Sequence, residues 1–327
     1  MPNWDHVLRE VQKERDDPGG ESAHDKVRRK YLLALHKHLD RNVIAYYSGF
    51  LSKPKLEGLE INDEDKNGFM LCIHKLDRKK GLDLILHTPG GDVAAAESLV
   101  HYLKEMFGND IRAFIPQISM SAGTMIACAC REIYMGKHSN LGPVDPQFSG
   151  IPAYGVIEEL KRAYEEITAD HNKVFVWTPI LSRYPPSFVQ QCHWALERTE
   201  EFVKLALQAN MFSGLSGAEK TAIAQQIFDR LTDLAKNKGH DKHFHYEECM
   251  DMGLNIKLLE ERPALQDLVL TVHHCYMHTT ANTGAIKIIE NHIGRAFVKV
   301  VQIQFVQQGP PLMPGQPGSL SLGGPTN

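Results

Sequence analysis

The residues best suited to chemistry in this sequence are a serine set among small residues and a pair of glycines upstream of it. Residues 88–92 read TPGGD, and residues 119–124 read SMSAGT. A serine hydroxyl at the start of a helix can attack a carbonyl carbon, and glycine N–H groups can approach the resulting oxyanion because no Cβ blocks them. Two amides aimed at a developing oxyanion contribute roughly 3–4 kcal/mol each in known hydrolases. Ser121 with the amides of Gly90 and Gly91 therefore favours acyl transfer.

Two strand–turn–helix units are predicted to position these groups. Residues 82–87 form an apolar run of strand length, and Asp92 can cap the helix that follows. Residues 111–115 form a second strand, which leads through the serine turn into an apolar helix over about 122–130. Because open α/β sheets place their sites at the carboxyl ends of parallel strands, both turns are expected to meet there. The Ala122 amide would then lie at the positive end of its helix dipole.

Composition restricts the classes of protein to consider. The chain has 327 residues, of which 43% are hydrophobic and 23% charged, and these are ordinary values for a globular protein. A net charge of −4 gives no case for a nucleic-acid partner. The sequence shows no apolar run long enough to cross a bilayer, no signal-peptide pattern and no disulfide framework, so a reduced, cytoplasmic protein is expected. No phosphate-binding loop motif occurs, and no cofactor is predicted.

At these residues the sequence resembles the Clp/crotonase-type serine peptidases. The resemblance is carried by TPGGD at 88–92 together with SMSAGT at 119–124. Within that group it looks closest to the signal peptide peptidase A-like and serine dehydrogenase proteinase (SDH) families, because GLDLILHTPGG at 81–91 and LGPVDPQ at 141–147 are similar to the SDH family. The similarity spans roughly residues 41–259. It implies a ClpP/crotonase-like α/β fold with a mostly parallel sheet, βαβ units, flanking helices and a helical C-terminal extension.

The resemblance also implies roles for individual residues. Ser121 would be the nucleophile of a serine peptidase that acts on peptides or proteins, and the Gly91 and Ala122 amides would form its oxyanion hole. Clp peptidases place a histidine base about two dozen residues after the serine, where this sequence reads VDP at 144–146 and has no histidine. The signal peptide peptidase-like branch instead uses a lysine on a later helix, and Lys204 is the best match to it.

A lysine acts as a base only when it is neutral, which requires desolvation. Lys204 has apolar neighbours in a predicted helix, and burial there would lower its pKa. Lys161 and Lys173 are the alternatives. His240 or Asp241, near the predicted sheet edge, could also approach the site.

Residues 140–155 are rich in proline and glycine and are predicted to be a loop. In the resembled families this region lies over the active site, so Gly90 and Asp145 are expected to face the substrate. Asp145 could orient a base or a substrate amide, or could serve only as a turn residue. Three histidines lie near a cysteine and acidic residues: His240, His243 and His245. Their spacing matches no common zinc motif, so a short helix and turn are favoured and no metal is predicted.

Four regions are predicted along the chain. They are an N-terminal helical arm (1–40), a ClpP/crotonase-like catalytic domain (41–262), a C-terminal helical region (263–306) and a disordered, Pro/Gly/Ser-rich tail (307–327). In the third region the apolar residues at 286–300 keep helical spacing. Because a C-terminal helical pair in this superfamily often packs against a neighbouring subunit, a homo-oligomer is expected.

Two other functions remain open from the sequence. The first is a catalytically silent scaffold that keeps the fold and binds peptides or partners. The second is a crotonase-type acyl-CoA enzyme, which also uses paired backbone amides but needs no serine at position 121. The sequence contains no adenine-nucleotide signature, so this second alternative is less favoured than a serine peptidase.

Overall fold

Strands and helices alternate through most of the chain. The computed structural model describes residues 4–16, 20–233, 237 and 239–301. The strands are β1 (Asn42–Ser48), β2 (Leu82–His87), β3 (Ile111–Ile115), β4 (Ile118–Ser119), β5 (Glu132–Met135), β6 (Asn140–Leu141), β7 (Gln147–Phe148), β8 (Ile151–Pro152), β9 (Ile256–Leu258), β10 (Ala285–Asn291) and β11 (Ala296–Val300). The helices are α1 (Trp4–Lys13), α2 (Ala23–Leu39), α3 (Asp65–Ile73), α4 (Val93–Phe107), α5 (Ala122–Cys128), α6 (Ala153–Ala169), α7 (Val174–Leu181), α8 (Phe188–Ala209), α9 (Gly217–Thr232), α10 (Tyr246–Met252) and α11 (Pro263–Asn282).

Seven of the described strands form one sheet, in the order β11-β10-β1-β2-β3-β5-β9. β1, β2, β3, β5 and β9 are parallel to one another, whereas β10 and β11 form an antiparallel hairpin beside β1. The parallel arrangement brings the carboxyl ends of β2 and β3 to the same edge of the sheet. The predicted α/β class with a mostly parallel sheet is therefore confirmed.

Helices cover both faces of this sheet, so its central strands are buried throughout. All six residues of β2 are buried, including Asp83, whose carboxylate pairs with Arg112 and Arg41. Side chains from α4, α5, α8, α9 and α10 form the core on one face, and side chains from α2 and α11 form the core on the other. The turns that follow β2 and β3 are thus held between two packed layers.

The predicted helix over 286–300 is wrong, because this segment forms the β10–β11 hairpin. Gly294, with φ +81, lies in the turn between the two strands. Ile286 and Ile289 match a helical spacing because β10 is buried along its whole length, so its apolar residues do not alternate with exposed polar ones. The expected C-terminal helical pair therefore does not form, and α11 packs within the chain against α2 and the sheet.

Several element ends follow the local signals in the sequence. Ser22 caps α2 in a capping box with Asp25, and the Asp92 carboxylate accepts a hydrogen bond from Ala95 N at the start of α4. Pro179 lies inside α7, which continues to Leu181. The predicted tail at 307–327 lies outside the described residues. Among the described helices, none combines the length and apolar character needed to span a bilayer.

Candidate active site

Ser121 lies in a turn between β4 and α5, at the carboxyl edge of the parallel sheet. Its backbone has φ +49 and ψ −117, a conformation that residues with a side chain rarely adopt. Two hydrogen bonds attach this turn to the end of β2, since Thr88 N donates to Ile118 O (3.2 Å) and Met120 N donates to Thr88 O (3.1 Å). The serine is therefore held at a fixed place beside residues 88–91.

The Gly90-Gly91 turn packs directly against the serine turn. Gly90 has φ +97, and a Cβ added to it would fall 2.6 Å from Ser121 Cβ, so only glycine permits this approach. Ile61 pairs with Gly91 as in a parallel sheet: Ile61 N donates to Gly90 O (2.7 Å), and Asp92 N donates to Ile61 O (2.9 Å). In such a pairing the residue between the two bonded groups directs its own N–H away from its partner. The Gly91 amide therefore points away from Ile61 and is available to a ligand.

The Ala122 amide is the second candidate donor. Ala122 is the first residue of α5, so the helix supplies no carbonyl to accept its hydrogen. Ser121 and Ala122 are consecutive, which places this amide next to the serine hydroxyl. The two predicted oxyanion donors and the predicted nucleophile thus belong to two turns in direct contact.

Ser121 opens into a cavity of about 500 Å³. Its lining residues come from the two turns, from the loop before α6 and from α8: Pro89, Gly91, Asp92, Val93, Ala94, Ser121, Val144, Asp145, Pro146, Gln147, Phe148, Trp194, Ala195, Arg198, Thr199 and His240. Apolar side chains form much of this wall, and Trp194 remains 59% exposed at its surface. The volume is within the range of small-ligand sites.

An aspartate–histidine pair lines the same cavity. His240 Nδ1 lies 2.8 Å from Asp145 Oδ1; the Asp145 side chain is fully buried, and the His240 side chain is 27% exposed. A hydrogen bond from Nδ1–H to the carboxylate leaves the lone pair on Nε2, which can then accept a proton. Within the described chain, Asp145 Oδ2 has no hydrogen-bond partner.

A short strand pairing brings His240 to Asp145. Phe244 N donates to Leu141 O (2.8 Å), and Leu141 N donates to Phe244 O (3.1 Å), which forms an antiparallel bridge. Phe244 is buried, which fixes the loop that carries His240 against the loop that carries Asp145. The histidine thus reaches the site by a contact between segments distant in sequence.

Residues 22–181 match the model of a family described as ClpP-like SDH-type serine proteinase. This segment, slightly less than half of the chain, is similar to the SDH-type serine proteinases. The predicted resemblance to a ClpP-like serine peptidase family is confirmed for these residues, and the α/β fold class is confirmed. Ser121, Gly91 and Asp145 lie inside the matched segment, whereas His240 and the strands of the C-terminal hairpin lie beyond it.

Similar proteins include two uncharacterized proteins of Methanocaldococcus jannaschii. MJ0137 is 32% identical over 196 residues, and MJ1495 is 37% identical over 196 residues. Each alignment covers 60% of this chain and 60% or 59% of the relative, so the match spans less than two thirds of either relative. Among solved structures, a ClpP1 variant from Listeria monocytogenes aligns with a TM-score of 0.37 and 15% identity, covering 71% of this chain and 99% of that one.

The structure does not bring the predicted lysine base into the cavity. Lys204 Nζ donates to Glu200 Oε1 (2.9 Å) and to Gln225 Oε1 (2.5 Å), and Lys204 is not among the residues lining the cavity. The alternatives Lys161 and Lys173 are exposed on their helices and do not line it either. Of the basic residues considered from the sequence, His240 is the one that shares the cavity with Ser121.

The three histidines considered as metal ligands do not form one cluster. His240 binds Asp145, whereas His245 is the N-cap residue of α10 and its backbone N–H donates to Glu248 Oε2 (3.1 Å). His243 is exposed. Across the described ranges, no group of three His, Cys, Asp or Glu side chains is arranged to hold a metal ion.

Several residues of the cavity wall were not predicted from the sequence. Phe148, Trp194 and Thr199 line it, and the last two project from α8. Thr199 is buried, and within the described residues its hydroxyl has no hydrogen-bond partner. The packing of α8 against α5, α6 and α9 determines where Trp194 and Thr199 lie, and a single sequence carries no signal for those contacts.

Proposed function

We propose that this protein is a serine peptidase in which Ser121 is the nucleophile and His240, oriented by Asp145, is the general base. The amides of Gly91 and Ala122 form the oxyanion hole. This assignment replaces Lys204, because the ammonium of that lysine is bound to Glu200 and Gln225 outside the cavity. The single observation that carries the proposal is one cavity lined by Ser121, Gly91, Asp145 and His240, with the last two hydrogen-bonded.

The proposed reaction follows from these positions. His240 Nε2 takes the proton of Ser121 Oγ while Oγ attacks the peptide carbonyl carbon, and the Gly91 and Ala122 amides bind the negative oxygen. His240 then gives that proton to the departing amine, which leaves an acyl-enzyme. Water, activated by the same imidazole, cleaves the ester and regenerates Ser121. Asp145 holds the imidazole in the required tautomer and stabilises its protonated form.

A fluorophosphonate probe tests this proposal, because it reacts with activated serines. We expect wild-type protein to be labelled, Ser121→Ala to show no labelling, and His240→Gln to be labelled far more slowly. Equal labelling of wild type and Ser121→Ala would exclude Ser121 as the nucleophile. Thioester turnover that survives Ser121→Ala would instead favour the acyl-CoA alternative, and absence of labelling in wild type would favour a silent scaffold.

We further propose a peptide or protein substrate, a cytoplasmic location and assembly into a homo-oligomer. An exposed apolar surface on α7 supports assembly, since Phe175 is 79% exposed and Val176 is 55% exposed. Light scattering combined with size-exclusion chromatography measures the number of subunits. A monomer at working concentration would contradict the assembly.

A further inference from the structure

A lysine of the C-terminal hairpin is buried beneath the loop that contacts Gly91. Lys287, on β10, places its Nζ 2.8 Å from Asp65 Oδ1 and 2.7 Å from the backbone oxygen of Glu60. The side chains of Lys287 and Asp65 are only 1% and 2% exposed. Buried ions of this kind must be paired and hydrogen-bonded, and this pair also binds the backbone of the preceding loop.

Asp65 binds the other side of the same loop. Its second oxygen, Oδ2, accepts hydrogen bonds from Asn62 N (3.0 Å) and from Tyr46 Oη (2.8 Å). Lys287 therefore holds Glu60 while Asp65 holds Asn62, and Ile61 lies between these two attachment points. The ion pair fixes the position of Ile61 from both sides.

Ile61 is the residue against which Gly91 is held. It accepts a hydrogen bond from Asp92 N and donates one to Gly90 O, so it binds the residue on each side of Gly91. A Cβ on Gly91 would fall 2.4 Å from both the N and the O atom of Ile61, which shows how closely the two backbones approach. A shift of Ile61 would accordingly change the direction of the Gly91 N–H.

We propose that Lys287 and Asp65 are positioning residues for the oxyanion hole, acting through Ile61 on the Gly91 amide. This inference rests on the proposed function, in which Gly91 donates to the oxyanion. It assigns a role in catalysis to β10, which lies outside the matched family segment and outside the catalytic region expected from the sequence.

The chemistry of the pair is consistent with a positioning role. Burial lowers the pKa of Lys287, and the nearby Asp65 carboxylate opposes this effect. A buried ion pair contributes little net stability compared with apolar residues of similar volume, whereas its directed hydrogen bonds fix geometry. Three hydrogen bonds of this pair join it to the backbone of Glu60, to the backbone of Asn62 and to the hydroxyl of Tyr46.

The test compares Lys287→Met with Lys299→Met, a matched control on the neighbouring strand. Lys299 pairs with Glu64 at 2.7 Å, but the two side chains of this pair are 31% and 49% exposed, and neither forms a hydrogen bond with Ile61. The double variant Lys287→Met/Asp65→Asn removes both charges and serves if the single variant does not fold. Peptide hydrolysis gives kcat and KM, and hydrogen exchange reports the Ile61 and Asp92 amides.

We expect kcat to fall about 10- to 100-fold in Lys287→Met and in the double variant with KM nearly unchanged, because the affected interaction forms in the transition state. Exchange of the Ile61 and Asp92 amides should accelerate in the same variants, and Lys299→Met should change neither quantity. Wild-type kcat and unaltered exchange in the Lys287 variants would overturn the inference. If wild-type protein shows no hydrolysis, the proposed function fails, while the exchange measurement still tests the support of Ile61.

Discussion

Replacing Gly91 with alanine tests the geometry of the oxyanion hole most directly. Gly91 has φ +150, and an added Cβ would meet Ile61 N and Ile61 O at 2.4 Å. A side chain in such a backbone region costs about 1–3 kcal/mol. The contact with Ile61 is with backbone, which cannot rotate aside, so the two hydrogen bonds that Ile61 makes around Gly91 must lengthen or break. Their loss adds about 1–3 kcal/mol.

Gly108→Ala is the matched control. Gly108 also has a positive φ, of +60, but an added Cβ there has no heavy atom within 4 Å. This variant should lose only the conformational part, about 1–3 kcal/mol, and should keep wild-type kcat. Gly91→Ala should therefore be less stable than Gly108→Ala by about 1–3 kcal/mol, the contribution of the two hydrogen bonds.

Urea unfolding measures the stability difference, and the rate of fluorophosphonate labelling measures the site. Displacement of one oxyanion donor should slow the reaction of Gly91→Ala about 10²–10³-fold. The reasoning is refuted if Gly91→Ala and Gly108→Ala unfold at the same urea concentration and react at the same rate. In that outcome Ile61 neither restrains Gly91 nor determines where its amide points.

Three further predictions follow from the structure. His240→Gln should lower kcat about 10²–10⁴-fold with unchanged stability, measured by hydrolysis and thermal unfolding, and wild-type kcat would exclude His240 as the base. Lys204→Met should retain kcat in the same assay, because its ammonium binds Glu200 and Gln225; inactivity would restore the lysine mechanism. Burial lowers the pKa values of His87 and His292 to about 4, so the unfolded state, with ordinary values near 6.5, binds more protons below that pH. The free energy of unfolding should keep its full value above about pH 6.5. It should fall by about 3 kcal/mol per histidine between that pH and pH 4, as urea midpoints measured across this range would show.

The parts of the fold that local signals determine were predictable. β2 and α4 follow from an apolar run, a glycine turn and an aspartate that caps the helix, and all of these signals lie within residues 82–108. The Ser121 turn was predictable for the same reason, since small residues must surround a strained backbone that approaches another turn. In each case the sequence within a few residues specifies the conformation.

From the sequence, His240 was only one alternative to Lys204 as the general base, because its position depends on a long-range contact. His240 reaches Asp145 through the bridge between Leu141 and Phe244, and nothing near either residue encodes that pairing. Lys204 fitted the helix pattern of the resembled family, but its exposure and its partner Gln225 depend on how α9 packs beside α8. The hairpin at 285–300 was missed for a related reason, since burial on both faces removes the alternation that marks a strand.

Three short β-bridges, each a pairing of two backbone residues, hold the segments of the candidate site together: Ile61 with Gly91, Thr88 with Ser119, and Leu141 with Phe244. Each lies outside the seven-stranded sheet and rests on few hydrogen bonds, whereas the sheet and its two cores contain most of the buried apolar residues. A change that weakens one bridge therefore removes about 1–3 kcal/mol, a part of the stability of the whole chain, but displaces the proposed nucleophile, oxyanion donor or base. Because a displacement of about 1 Å lowers catalytic rates about 10²-fold, activity should respond to changes at these bridges before global unfolding does. Substitutions in the packed sheet should therefore affect folding most, and substitutions at these bridges should affect function most.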